Sequence, residues 1–272
     1  MTLPSICVVV TTYNWPQALS RVLNGLSLQK YPNMEVIIAD DGSTDETAQV
    51  VSAFRKKMPF ALTHCWQPDE GFRAAMCRNK AVAKTKADYI IFIDGDCVPC
   101  PQFVQRHAHL AQKGWFVAGT RVLLSQSFSK AILHNDLAIE AWSYEKWVKA
   151  FLQRGANRLL PKLYWPLGIL RTLTPSKWQG VKTCNLGIWR EDFIAVNGLD
   201  ENFVGWGFED SDLIIRLQRL GIKRKSGKFA TEVFHLWHPE NSRQQMNENK
   251  ERLASTINSL QVKATLGIEQ YI

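Results

Sequence analysis

The chain has 272 residues and a mass of 31.0 kDa, room for one large domain or one domain with an appendage. With 46% hydrophobic and 21% charged residues it reads as globular, and no apolar run approaches the roughly 18 residues of a membrane span. The formal net charge of +8 makes the location of the excess more informative than its size.

Ile6 to Thr12, ICVVVTT, is a β-branched run bounded by turn residues, and Leu19, Val22, Leu23 and Leu26 then recur at helical spacing. A strand followed by a helix is expected, with Asn14 as its N-cap and Pro16 at an early helical position where a missing amide hydrogen costs nothing. Glu35 to Asp40 predicts the second strand, followed by a helix carrying Ala48, Val51 and Phe54. Leu62 to Trp66 predicts a third strand, Arg73 to Lys86 a helix, and Tyr89 to Asp94 a fourth strand. Continuous apolar runs alternating with helices indicate an α/β fold with a mostly parallel sheet covered on both faces.

After residue 120 the alternation breaks down. Trp115 to Leu124, Cys184 to Trp189 and Ala230 to His235 read as strands, and Ser242 to Leu260 as a polar helix. Leu213, Ile214, Leu217 and Leu220 predict an amphipathic helix opened by FEDSD. One mixed domain over 1–272 is expected, with 1–120 and 121–240 as its two halves and 241–272 as a terminal helix.

Six scattered cysteines, including the isolated Cys97-Val98-Pro99-Cys100, suit free thiols in a reducing compartment. Ile6 to Val10 is too short for a signal-peptide core, so a cytoplasmic location is expected. The charge excess is local: Lys146, Lys149, Arg154, Arg158, Lys162, Arg171, Lys177 and Lys182 stand against Glu145 alone, a balance of +7 over about 145–182. Trp147, Phe151, Tyr164, Trp165 and Trp178 lie among them, with five leucines between Leu159 and Leu170. This basic aromatic insert suits either an anionic lipid surface, peripheral at the inner face of the cytoplasmic membrane, or a solvated loop packed by its own aromatics. No nucleic-acid module surrounds it, and nucleic acid is not an expected partner.

In a parallel α/β sheet, ligands bind beyond the carboxyl ends of the strands. Those ends carry Thr11, Thr12, Tyr13 and Asn14, then Asp40 and Asp41, then Asp94 and Asp96. Thr-Thr-Tyr-Asn after the first strand replaces the glycine pattern of a dinucleotide fold, and no phosphate-cradling ATPase loop is present. Asp94-Gly95-Asp96 offers two hard oxygen donors that extended backbone would put on one side, suited to Mg²⁺ or Mn²⁺ shared with phosphate; an acidic strand-end turn is the alternative. In GWGFEDSD, Gly205 to Asp212, three carboxylates at a helix start ordinarily complement the helix dipole, and chemistry is the alternative.

The ordered set VVVTTYN, DDGSTDET, FIDGDCVPCP, GWGFEDSD and VFHLWHP resembles the inverting family-2 glycosyltransferases of the GT-A fold over about residues 4 to 240. The block NGLDENFVGWGFEDSDLIIRL is most similar to bacterial chondroitin-type polymerase domains and β-1,4-galactosyltransferases. The long basic aromatic insert departs from the chondroitin-type pattern.

That resemblance implies a UDP-sugar donor, a glycan or lipid-linked saccharide acceptor, and Mn²⁺ or Mg²⁺ as cofactor, in synthesis of a bacterial surface polysaccharide or lipopolysaccharide. It implies that Thr11, Tyr13, Asn14 and Asp41 hold uracil and ribose, with Arg78 near the nucleotide and Asp94 near the ribose or metal. Asp96 would ligate the metal, completed by His235 or His238. Asp210 would be the general base, Glu209 a partner of sugar hydroxyls, and Trp206 a platform for a sugar face; Asp212 is left to helix structure. A sugar nucleotidyltransferase is the rival enzyme class, but it would carry a Gly-rich basic loop where this chain has TTYNWP. A non-catalytic glycan- or lipid-binding protein would have no need of Asp96 and Asp210 together.

Overall fold

The computed structural model describes residues 3–160, 162–240 and 242–272. Strand β1 (Ile6–Thr12) leads into helix α1 (Pro16–Ser27), β2 (Met34–Asp40) into α2 (Asp45–Arg55), and β3 (Ala61–Trp66) into α3 (Ala74–Ala83). β4 (Tyr89–Asp94) is followed by a short strand β5 (Cys97–Pro99), α4 (Phe103–Leu110), β6 (Trp115–Ala118) and β7 (Thr120–Leu123). Helices α5 (Gln126–His134) and α6 (Tyr144–Leu152) precede β8 (Asn185–Trp189) and α7 (Arg190–Ala195). The chain continues through α8 (Glu209–Arg219), β9 (Lys223–Ser226), β10 (Glu232–His235) and α9 (Met246–Asn258).

The main sheet has the order β3-β2-β1-β4-β8-β6-β9 and is parallel except on the two sides of β8. This is the mostly parallel, helix-flanked mixed sheet expected from the apolar runs. Successive residues of each central strand serve opposite layers. Ile6, Val8 and Val10 of β1 and Tyr89, Ile91 and Ile93 of β4 join the core under α1, whereas Cys7, Val9, Ile90 and Phe92 pack with Phe193 and Leu213 on the other face. Fully burying an aliphatic side chain in such a layer contributes about 1.5–3 kcal/mol. The center of the sheet is thus rigid, and the polar residues at its carboxyl end rest on it.

A second sheet, β5-β10-β7, stands at that end, with β10 antiparallel to β5 and parallel to β7. Its formation corrects the expectation of one strand over Trp115 to Leu124. At Gly119 the chain leaves the main sheet for the small one, and a Cβ there would lie 2.1 Å from the Asn185 side chain. The two predicted strand and helix ends near the C-terminus also shorten, to Glu232–His235 and Met246–Asn258.

Asn14 does not cap α1. Trp15 occupies the cap position with no side-chain bond, Pro16 sits in the first turn as expected, and Asn14 adopts φ 44°. Its side-chain oxygen instead accepts from the Thr44 amide at 2.9 Å, and its amide donates to Ser43 Oγ at 2.9 Å. Asn14 therefore ties the loop after β1 to the loop after β2.

The basic segment is a surface only in part. Trp147 of α6 is 0% exposed and stacks on Phe234 with centroids 4.2 Å apart, so it braces β10 from below and does not face outward. Arg171 is buried too, donating to the carbonyls of Trp165, Ser226 and Lys228. The expected free thiols are found at all six cysteines, all buried.

Candidate active site

The parallel register of β1 with its neighbors places Thr11 opposite Asp94 and Thr12 opposite Asp40. Arg78 rises from α3 between them. Its Nε donates to Thr11 Oγ1 at 2.9 Å, one terminal nitrogen reaches Asp94 Oδ1 at 3.0 Å, and the other lies 3.5 Å from Glu209 Oε1. One buried guanidinium thus joins the ends of β1 and β4 to the start of α8. Burial pushes the Asp94 carboxyl above its ordinary value despite Arg78.

Asp41, Tyr13 and Asn14 form a neighboring group at the mouth between β1 and β2. Gln67 donates to Asp41 Oδ1 at 2.6 Å and the Arg73 amide to Oδ2 at 2.7 Å; burial nevertheless raises its pKa. Tyr13 is exposed and its hydroxyl donates to Asp69 at 2.8 Å, which holds that carboxyl below its usual range.

Asp94 and Asp96 do not share one side of an extended strand, because β4 stops at Asp94 and a turn follows. Gly95 is needed for close approach to β1: its amide donates to the Thr11 carbonyl at 2.7 Å, and a Cβ would meet Thr12 Oγ1 at 3.0 Å. The turn separates the two acids by partner. Asp94 faces Arg78, while Asp96 Oδ2 lies 3.5 Å from His235 Nε2 and 3.3 Å from His238 Nε2. Burial would raise Asp96, but the hydrogen bond and charge of His235, with His238, outweigh it and lower its pKa.

His238 Nδ1 contacts the Pro239 carbonyl at 2.6 Å, so Nδ1 must carry the proton there. Nε2 of the same ring faces the Asp96 carboxylate, so the two atoms could share a divalent cation. The separations of 3.3 and 3.5 Å are near the ~3 Å expected between adjacent ligands of an octahedral ion with ~2.1 Å bonds. Asp96, His235 and His238 together can hold a divalent metal.

The GWGF turn delivers the remaining acids. Gly205, Gly207 and Phe208 have φ of 77°, 112° and 74°, and a Cβ on Gly205 would also strike Gln245. Phe208 in the left-handed region stores about 1–2 kcal/mol of strain, offset by the packing that holds it. The reversal aims the first turn of α8 at Arg78. Asp210 Oδ1 accepts from the Thr183 amide at 3.0 Å and the Thr183 hydroxyl at 2.5 Å, and Oδ2 lies 3.5 Å from Lys182 Nζ. Asp212 points away, binding the buried Arg216 and the Thr256 hydroxyl, which makes it a structural residue. Trp206 is partly exposed beneath the Arg243 guanidinium, 5.6 Å from its centroid.

Burial, and then the charge of Asp210, push the Glu209 carboxyl up to about 7 against the pull of Arg78. Its Oε2 is buried without a partner. Because the unfolded chain releases this proton near 4.5, native Glu209 holds it longer, and its burial costs stability progressively as pH rises from 4.5 to 7. Glu209→Gln is therefore expected to gain about 1–3 kcal/mol on the wild type between pH 4.5 and 8, read by urea unfolding at both ends. A difference that stays constant with pH would show that Glu209 is charged throughout.

Thr183, which holds Asp210, was not legible in the sequence, and Lys182 was counted there with the basic surface. Gln67 and Arg73 likewise gave no motif. Cys97 and Cys184 approach Asp94 closely enough to form a second donor group with it.

Residues 7–163 match the family described as Glycosyl transferase family 2, and residues 172–239 match one described as the N-terminal domain of galactosyltransferase. The chain is 30% identical over 237 residues to a validoxylamine A glucosyltransferase of Streptomyces hygroscopicus subsp. jinggangensis, covering 80% of this chain and 52% of that protein. It spans about half the length of the first curated relatives it matches. Among solved structures, the mannosyltransferase PcManGT from Pyrobaculum calidifontis, in complex with GDP-Man and Mn²⁺, matches with a TM-score of 0.65 at 16% identity, over 95% of this chain and 66% of that one. S. aureus TarS 1-349 in complex with UDP matches with a TM-score of 0.62 at 16% identity, over 98% and 68%. These likenesses show the GT-A fold. With the family match extending over more than half of its residues, the chain belongs to glycosyl transferase family 2.

Proposed function

We propose that this chain is a metal-dependent, inverting glycosyltransferase that moves a sugar from a UDP-linked donor to a saccharide acceptor, in bacterial surface polysaccharide or lipopolysaccharide synthesis. The observation that carries the reading is the convergence of Asp96, His235 and His238 beside the Arg78-bridged acids. These three residues would hold the divalent metal, and two imidazole nitrogens favor Mn²⁺ over the oxygen-seeking Mg²⁺. When bound, the metal neutralizes charge on the departing diphosphate.

The chain's own residues take the other roles. Thr11, Tyr13, Asn14 and Asp41 bind the nucleoside end in the 1–120 half, with Arg78 and Asp94 at its diphosphate side. Inversion requires a base on the face opposite the leaving group, within reach of the acceptor hydroxyl. Thr183 fixes Asp210 through Oδ1, which leaves Oδ2 to take the acceptor's proton as the new bond forms. Lys182 Nζ lies 3.5 Å from that second oxygen. The unpartnered Oε2 of Glu209 is offered to a sugar hydroxyl, and Trp206 to a sugar face.

Calorimetric titration of UDP into the protein with Mn²⁺, with EDTA and with Asp96→Ala tests the donor site without knowledge of the acceptor. Binding that needs Mn²⁺ and weakens at least about tenfold in Asp96→Ala is expected, since even supporting residues cost a metal site that much. GDP and dTDP are titrated alongside, because the structural relatives hold different nucleotides. Binding of none of them, or binding indifferent to EDTA, would overturn the reading.

A further inference from the structure

The basic segment leaves an outward face that the proposed transfer reaction does not use. No Asp or Glu occurs between Glu145 and Glu191, nor between Asp212 and Glu232. The fold packs these two acid-free stretches together. The Trp165 amide donates to the Phe229 carbonyl at 2.9 Å, the Arg224 amide donates to the Pro175 carbonyl at 2.8 Å, and the buried Arg171 guanidinium clamps Trp165 to the carbonyls of Ser226 and Lys228. Sequence separation hides this union, because β9 is some 50 residues beyond the segment it holds.

With Arg171 turned inward, the short 3-10 helix Gly168–Thr172 turns its aliphatic residues outward. Ile169 is 81% exposed, Leu173 69%, Leu170 56% and Trp165 54%. Lys177 and Lys228 are exposed beside them, and Arg224 is half-exposed. Exposed aliphatic side chains on a surface mark an interaction site, and neighboring cations drawn from two acid-free stretches favor an anionic partner. Two copies docked through this face would oppose like charges. The outermost side chains, Ile169, Leu173 and Leu170, are aliphatic and offer nucleic acid no base-stacking surface.

We propose that this face, built on residues 165–177 and the β9 edge, docks the protein on an anionic lipid bilayer, with Ile169, Leu170 and Leu173 entering the headgroup boundary and Lys177, Lys228 and Arg224 meeting lipid phosphates. No helix among the described residues is long and apolar enough to cross a membrane, so the attachment is peripheral through this part of the chain. The same acid-free stretch includes Lys182, 3.5 Å from Asp210, so docking here would bring the candidate base toward an acceptor carried on lipid. That last consequence rests on the proposed transferase reading; bilayer binding does not.

The full chain is floated with vesicles of phosphatidylcholine, with and without phosphatidylglycerol, as wild type, as Ile169→Ser/Leu173→Ser and as Lys177→Glu/Lys228→Glu. The wild type is expected on the phosphatidylglycerol vesicles alone, and raised salt should weaken it. Reversing two lysines should lower the partition about 30-fold or more, and removing the two aliphatic groups about tenfold. Unchanged UDP binding in both double variants would show that they fold and would separate this test from that of the donor site. A wild type that leaves both vesicle types free, binds them equally, or binds as well after the substitutions overturns the proposal. So does a solution dimer that dissociates in Ile169→Ser/Leu173→Ser, which would make a second copy the occupant.

Discussion

Asp210→Asn is expected to lower turnover by about 10² to 10⁴ while UDP affinity stays unchanged. The amide is nearly the same shape as the carboxylate, and its oxygen can still accept from the Thr183 amide and hydroxyl that hold Asp210 Oδ1. What disappears is the second oxygen, the one beside Lys182, as a proton acceptor. A fall confined to kcat and kcat/KM alike would place the loss in the transition state, as a base requires. A raised KM with unchanged kcat would make Asp210 a binding group. Normal turnover would remove it from the chemistry, and Glu209, buried one residue away with an unpartnered oxygen, would be the next acid to substitute.

Which elements local composition encodes depends on the range of the interaction that forms them. β1, β2 and β4 were legible because a strand covered on both faces needs an unbroken apolar run, and local composition records that. The polar residues at their ends were legible for the same reason, since they are where the run stops. β5 was not: Cys97–Pro99 is three residues long, contains a proline, and exists as a strand because β10 pairs with it. Trp147 shows the converse case. Its neighbors in sequence are basic, but its neighbors in space are Phe234, Trp142 and Phe128, so composition left open for it both a surface and an aromatic packing site, and the fold takes the second. Thr183 carries no signal of its own, because a threonine ahead of a strand is ordinary until α8 arrives from 27 residues away. The turn that aims α8 was partly visible, as glycines at positions that adopt positive φ.

Arg78→Met should be the most destabilizing change at the site, by about 3–5 kcal/mol near pH 8, because it removes one partner of a buried charge group and leaves the others uncompensated. The methionine fills much of the same space, so the loss is electrostatic more than steric. Asp94 and Glu209 are both already raised by burial, and Arg78 is the group that restrains them. Without it both would bind protons at higher pH in the folded state than in the unfolded one, so stability would fall more steeply as pH rises. Urea unfolding at pH 5 and pH 8 should therefore show a small deficit in the acid and the full deficit in the base. Arg78→Lys should lie between, since an ammonium restores the charge but cannot reach Thr11, Asp94 and Glu209 at once as the three guanidinium nitrogens do. An equal deficit at both pH values would reduce Arg78 to packing. A pH-dependent one would identify it as the counter-charge that lets three acids from β4 and α8 converge in one buried cleft before any ligand arrives.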